Sequence, residues 1–295
     1  MLKIIRTLHG ILSVILIILN TIFWCVPLAV LALLKFSIPI RPLRFILTKI
    51  INFIAISWTS VNNFNINLTK NIDIEISNLT DLDSKKTYML ISNHQSWTDI
   101  IILQKIFNRK IPFFRFFLKR NLIYIPFLGI SWWALDYPFM NRYKESYLQK
   151  HPELKKRNIE NTKKACLKYR KMPVTITNFL EGTRFTEEKH ASQNSPFKNL
   201  LKPKAGGIAF ALEVIGDQIE KLIDVTIVYP DGKADFWKFL CGELNRIRID
   251  INIIPGEEIP AGSYSSDGEF RKNFQQWINT LWIRKDRIIS KLKFQ

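Results

Sequence analysis

The sequence predicts an α/β fold: a single domain built on a mixed, largely parallel sheet covered by helices, preceded by an N-terminal membrane-associated helical segment. Two observations carry this. Beyond residue 70, short apolar runs of strand length alternate with longer amphipathic stretches, the pattern of a sheet with helical cover. Before it, residues 11–34 run ILSVILIILNTIFWCVPLAVLALL without one charge, long enough to cross a bilayer. The division expected is 1–62 for the anchor and 63–295 for the domain.

The elements follow in order. Residues 11–34 are too long for a signal-peptide core, and no small-residue cleavage site follows them. Pro27 is expected to kink this segment. Residues 43–58 are again apolar, and Pro39 and Pro42 separate the two stretches. Either one span is followed by an interfacial helix, or a bent pair dips into one leaflet, the alternative to both being a buried helix of a soluble protein. Ile72, Ile74 and Ile76 alternate with polar residues as in a half-buried strand. Tyr88–Ser92 reads as a buried strand and Trp97–Phe107 as a helix. Residues 111–133 are apolar and aromatic, either a second membrane-contacting surface or a core helix, with Pro112 and Pro126 against one continuous span. Leu135–Phe139 is expected as a strand, 153–170 as a surface helix and Pro173–Leu180 as a buried strand. Lys204–Ile219 then reads as a helix, Ile223–Tyr229 and Arg246–Ile254 as strands, and 268–292 as a long basic helix.

Composition narrows the partners. The formal charge of +18 over 295 residues favours an anionic surface or substrate: nucleic acid, phospholipid or a phosphorylated molecule. No nucleic-acid-binding motif occurs, and the apolar leader argues against that partner. Cys25, Cys166 and Cys241 are widely spaced, odd in number and without metal-ligand spacing, so they read as reduced thiols. No metal site is expected.

The chemistry centres on Ser92-Asn93-His94-Gln95-Ser96-Trp97-Thr98-Asp99, between the strand ending at Ser92 and the helix that follows. A chain turning there brings the Asp99 carboxylate back onto one imidazole nitrogen of His94 and leaves the other as an outward proton acceptor. Such a pair is a general base that needs no serine or cysteine of its own, provided the substrate brings the hydroxyl. Dinucleotide fingerprints, P-loops, nucleophile elbows and zinc-protease motifs are all missing. Two further polar groups fall at expected strand ends: Arg142, after 135–139, and Glu181-Gly182-Thr183-Arg184, after 173–180. Ligands of open α/β sheets gather at such ends. Arg142 and Arg184 suit phosphate oxygens, and Gly182 allows a sharp turn close to a ligand.

Asn93-His94-x4-Asp99, Phe139-x2-Arg142 and Glu181-Gly182-Thr183-Arg184, in this order, resemble the first three blocks of the glycerolipid acyltransferase family, which includes the lysophosphatidic acid acyltransferases. Val225–Pro230 resembles a fourth block. The fuller spellings NHQSWTD, ALDYPFMNR, NFLEGTRFT and PKAGGIA are similar to a subgroup of bacterial inner-membrane enzymes and lysocardiolipin acyltransferases. The resemblance covers roughly 88–290.

It implies transfer of a fatty acyl group from acyl-CoA or acyl carrier protein, as co-substrate, to a lysophospholipid hydroxyl, with no other cofactor and no acyl-enzyme. His94 would be the base and Asp99 its orienter. Arg142 and Arg184 would hold the acceptor phosphate, with Glu181, Gly182 and Thr183 shaping the pocket and Lys119 adding a phosphate contact. The implied location is an inner membrane, with the site facing the cytoplasm. Two departures stand out: Asp136 replaces the usual glycine of the second block, and only Pro230 remains of a Pro-x-x-Pro in the fourth. The rival reading is a non-enzymatic binder of anionic membranes, using the leader and the basic C-terminal helix.

Overall fold

The computed structural model describes residues 1–140, 151–232 and 234–293. Two long helices lead the chain, α1 (Leu2–Ser37) and α2 (Arg41–Thr69). α1 continues through Pro27. Pro42 sits in the first turn of α2, where a missing N–H leaves no intrahelical bond unmade. The domain follows as β1 (Asp73–Ser77), β2 (Thr87–Ser92), α3 (Thr98–Phe107), β3 (Phe114–Phe116), β4 (Leu118–Lys119), α4 (Leu128–Ala134) and β5 (Phe139–Met140). Then come α5 (Pro152–Tyr169), β6 (Thr175–Phe179), α6 (Glu187–Ser192), α7 (Gly206–Ile215), β7 (Ile219–Val228), α8 (Phe236–Leu240), β8 (Arg246–Pro255) and α9 (Gly268–Leu292).

Six strands form one sheet in the order β1-β8-β7-β2-β6-β3. β7 and β8 run antiparallel and the other neighbours parallel, the mixed, largely parallel sheet expected. β2 lies inside it and every one of its residues is buried. Its side chains alternate between two cores, as strand geometry requires. Tyr88 and Leu90 join α1, α2 and α3 on one face, while Met89 and Ile91 join α5, α7 and α9 on the other. A strand covered on both faces reads as a continuous apolar run, which is why Tyr88–Ser92 is legible.

α9 keeps its expected bounds. Asp267 caps its first turn, accepting from the Glu269 and Phe270 N–H groups at 2.9 and 3.0 Å. Its inner face carries a charge as well as apolar groups. Lys285 is fully buried, with Nζ 2.6 Å from Asp224 Oδ1 on β7 and donating to the Val225 carbonyl at 2.6 Å. Burial lowers the basicity of this lysine, against the pull of Asp224.

Three expectations change. First, the anchor and the domain share a core. Leu28 and Ala32 of α1 and Ile51, Ile54 and Ala55 of α2 pack with the sheet, and the division drawn after residue 62 falls inside α2. Secondly, residues 111–133 form no single core helix: they are divided into β3, β4, a 3-10 turn at Arg120–Tyr124 and α4, in keeping with the two prolines. Thirdly, Leu135–Phe139 is not a strand. α4 ends there, and Asp136 adopts φ +58, so only Phe139 and Met140 pair, with Leu118 and Lys119.

That conformation explains the departure at Asp136. The left-handed region favours glycine, and among other residues aspartate tolerates it well. Here the carboxylate also joins two helices, 2.9 Å from Lys35 of α1 and 2.8 Å from Lys168 of α5. Burial acts to raise its carboxyl, but the two lysines outweigh it and hold it below the usual range.

Candidate active site

The parallel register of β2 and β6 brings the two main motifs together. Ser92 pairs with Phe179, so both chains leave the sheet at the same edge, one toward His94 and the other toward Glu181. β7 pairs with β2 as far as Val225 opposite Ser92 and then runs on to Val228. Its extra residues flank the His94 loop. Asn93 Nδ2 donates to the Ile227 carbonyl at 2.8 Å, and its Oδ1 accepts from the Ile227 N–H at 2.9 Å. One buried side-chain amide thus continues the ladder where the strand has ended.

His94 Nδ1 lies 2.8 Å from Asp99 Oδ2. The same oxygen accepts from the N–H groups of Gln95 at 2.6 Å and Ser96 at 2.8 Å. Asp99 opens α3 and is fully buried, so backbone donors and the helix N-terminus take the place of water around its charge. The imidazole ring is 14% exposed, and it stacks on Phe179 with centroids 4.0 Å apart and planes 15° from parallel. Among the described residues nothing hydrogen-bonds Nε2. The ring is therefore held on one edge and one face, and its second nitrogen is available to accept a proton.

The Glu181–Arg184 turn packs directly on this loop. The Phe185 N–H donates to the His94 carbonyl at 2.8 Å. Gly182 has φ +68, a left-handed conformation in which a side chain is strained, and its N–H closes the turn onto the Phe179 carbonyl at 2.9 Å. Arg184 is exposed, with its guanidinium 5.3 Å from the ring centre of Trp97, three residues beyond His94. Thr183 Oγ1 accepts from Lys189 Nζ at 2.9 Å, and the same ammonium donates to the Arg184 carbonyl at 2.9 Å. Cationic groups thus surround a turn that opens beside the imidazole.

Glu181, expected with Gly182 and Thr183 to shape the phosphate pocket, is set apart from those two by its depth. It is buried under the turn, not on its open side. Oε1 accepts from the His94 N–H at 2.8 Å and Oε2 from the Leu201 N–H at 3.0 Å. Burial pushes its carboxyl up to about 8, against these two donors, which favour the charged form. With both oxygens occupied, Glu181 shapes the site from beneath. Lys119 is exposed on β4 and pairs in register with Met140. Arg142, two residues further on, lies outside the described residues.

Two groups escape sequence reading. Lys204, just before α7, is exposed beside Gly182 and forms no ion pair among the described residues. It belongs to the PKAGGIA stretch, so its signal was present without a place in space. Tyr229 belongs to the fourth block. Its hydroxyl donates to Asp99 Oδ1 at 2.7 Å.

Site and fold define a class: an α/β domain with a histidine–aspartate pair, His94 and Asp99, at the carboxyl end of an inner parallel strand of a mixed sheet. Residues 73–230, over half the chain, match the Acyltransferase family, and the chain belongs to it. It is similar to the 1-acyl-sn-glycerol-3-phosphate acyltransferase 3 of Arabidopsis thaliana, 27% identical over 227 residues that cover 72% of this chain and 55% of that protein. It is also similar to the 2-acyl-1-lysophosphatidylinositol acyltransferase of Saccharomyces cerevisiae, at 25% over 252 residues, 70% of this chain and 62% of that one. The chain therefore spans less than two thirds of these relatives. Among solved structures, the 1-acyl-sn-glycerophosphate (LPA) acyltransferase PlsC of Thermotoga maritima superposes with a TM-score of 0.56 over 100% of this chain and 99% of that one. At 16% identity, that likeness concerns the fold.

Proposed function

We propose that this chain is a membrane-attached O-acyltransferase. It moves a fatty acyl group from acyl-CoA, or from acyl carrier protein, to the free hydroxyl of a lysophospholipid such as lysophosphatidic acid. The observation that carries the reading is the His94–Asp99 pair, bonded at Nδ1 and open at Nε2, beside the cationic Glu181–Arg184 turn. The acceptor hydroxyl gives its proton to Nε2 as its oxygen bonds to the thioester carbon. The tetrahedral intermediate then expels the thiolate, which recovers the proton from the imidazolium, so no acyl-enzyme forms. Asp99 holds the reactive tautomer and offsets the imidazolium charge. Holding both substrates in one site converts the encounter to a single-unit reaction and supplies much of the rate.

Arg184, Thr183 and Gly182 are proposed to receive the acceptor phosphate, with Arg142 and Lys119 as further contacts and Lys204 as an added cation. Arg184→Ala should raise KM for the lysophospholipid by about tenfold, the worth of one charge-assisted contact, with a smaller change in kcat. A rise confined to the acyl donor would move this group to the donor side.

The apolar helices support attachment to a membrane. α1 is tied to the domain near both ends. Ser13 Oγ donates to the Leu240 carbonyl at 3.1 Å, and Lys35 Nζ meets Asp136 at 2.9 Å. These residues are roughly 33 Å apart along the helix. Its outer side exposes Leu8, Ile15, Phe23 and Val30, and α2 adds Phe53 and Phe64. A hairpin docked along its length favours insertion into one leaflet with the domain at the surface. By its resemblance to the bacterial inner-membrane enzymes, the domain is proposed to face the cytoplasm at an inner membrane. Charged substitutions at Ile15, Phe23 and Phe53 should release the protein from vesicles without unfolding it, as flotation and circular dichroism would register. Undiminished flotation of these charged variants in high salt would remove the helices as the anchor.

The function itself is tested by product analysis. Membranes carrying the protein are given labelled acyl-CoA and a panel of lysophospholipids, and the diacyl lipid that gains label is identified. No labelled lipid above the level of a His94→Ala control would overturn the assignment.

A further inference from the structure

We infer that Tyr229 is a positioning residue of the His94–Asp99 pair, setting both the orientation of the carboxylate and the strength of the base. The inference rests on the general-base reading above and deepens it. Asp99 Oδ2 is fully engaged, by His94 and by the Gln95 and Ser96 N–H groups. Oδ1 points the other way, into the core, where no backbone donor reaches it among the described residues. Tyr229 Oη supplies the missing donor at 2.7 Å, across 130 residues of sequence. Tyr229 is itself 3% exposed, so no water competes for the bond.

The consequence is geometric and electrostatic. A carboxylate held at both oxygens cannot rotate, so Oδ2 stays on Nδ1. Each donor it accepts also withdraws charge from it, so the tyrosine weakens the hold of Asp99 on a protonated imidazole and helps His94 give its proton back to the leaving thiolate. Burial and the neighbouring carboxylate keep the phenol protonated, well above its ordinary range, so it remains a donor throughout. β7 thus clamps the loop twice, through the Ile227 backbone on Asn93 and through the Tyr229 hydroxyl on Asp99. The other titratable or charged groups near the pair are Glu181 beneath His94, the more distant Lys285 with its partner Asp224, and Arg184 over Trp97. None of them donates to Oδ1.

The test is Tyr229→Phe, which keeps the ring and removes only the hydroxyl. Folding is checked by circular dichroism. The kcat of acyl transfer should fall about tenfold, the value of a buried bond to a charged group, with KM for the lysophospholipid unchanged. With one donor lost, Asp99 holds the imidazolium more tightly, so the acid limb of the kcat/KM profile should move to higher pH. The titration of His94, followed by NMR of ring-labelled histidine and assigned with His94→Ala, should move the same way. That titration needs no turnover, so it stands even if the substrate assignment fails. A folded variant whose His94 midpoint and acid limb match the parent would overturn the role of Tyr229.

Discussion

His94→Ala is expected to lower acyl transfer by between about a hundredfold and ten-thousandfold, the range a positioned general base supplies. The protein should remain folded and membrane-bound. Among the described residues the ring makes one side-chain hydrogen bond, to Asp99, and one stacking contact, to Phe179, while the loop is held by backbone bonds that alanine keeps. Asp99→Asn is the sharper test because the site can accept it. The asparagine carbonyl can take the place of Oδ2, receiving the Gln95 and Ser96 N–H groups and His94 Nδ1. Its amide then faces Tyr229, whose hydroxyl turns from donor to acceptor. Geometry survives and the negative charge is lost, so kcat should collapse while the melting temperature and the KM for the acceptor stay near those of the parent. Steady-state kinetics on purified, detergent-solubilised protein measure all three. Full turnover by folded His94→Ala would eliminate the base.

Much of this site was legible because its central pair is local. His94 and Asp99 lie in one turn between a strand and a helix, and a buried parallel strand announces itself as an unbroken apolar run. What escaped was contributed from far along the chain or by ambiguous local signals. Leu135–Phe139 has the apolar texture of a strand, yet α4 ends just before it, at Ala134, and a left-handed turn at Asp136 follows. The leader reads as a separate anchor because its outer face is apolar, and its inner face, which completes the domain core, is apolar too. Lys285 reads as part of a basic surface until Asp224 is seen opposite it. Tyr229 reads as one apolar residue of a strand end, since a hydroxyl's partner 130 residues away leaves no mark in the sequence.

Glu181 carries the second large effect, and its substitution separates a strut from a substrate contact. Its two oxygens receive backbone N–H groups from the two segments that flank the turn, His94 and Leu201. Glu181→Gln offers one carbonyl and one amide, so one backbone donor is left facing another donor, at a cost of roughly 1–3 kcal/mol. Glu181→Ala leaves both donors unmet and should cost about twice that. Because the His94 backbone is one of the two, kcat should fall by at least about tenfold in either variant, while KM for the lysophospholipid stays where it is. Arg184→Ala should show the converse. The pH dependence gives an independent check. The folded carboxyl, at about 8, lies above its ordinary value of 4.5. Its contribution to stability is therefore complete below about 4.5 and is lost as pH rises through about 8. The melting temperature of the parent should decline across that window, and Glu181→Gln, which cannot ionise, should be flatter there. A Glu181→Gln variant that raises KM and leaves kcat and this pH slope intact would mean the carboxylate meets the lipid after all.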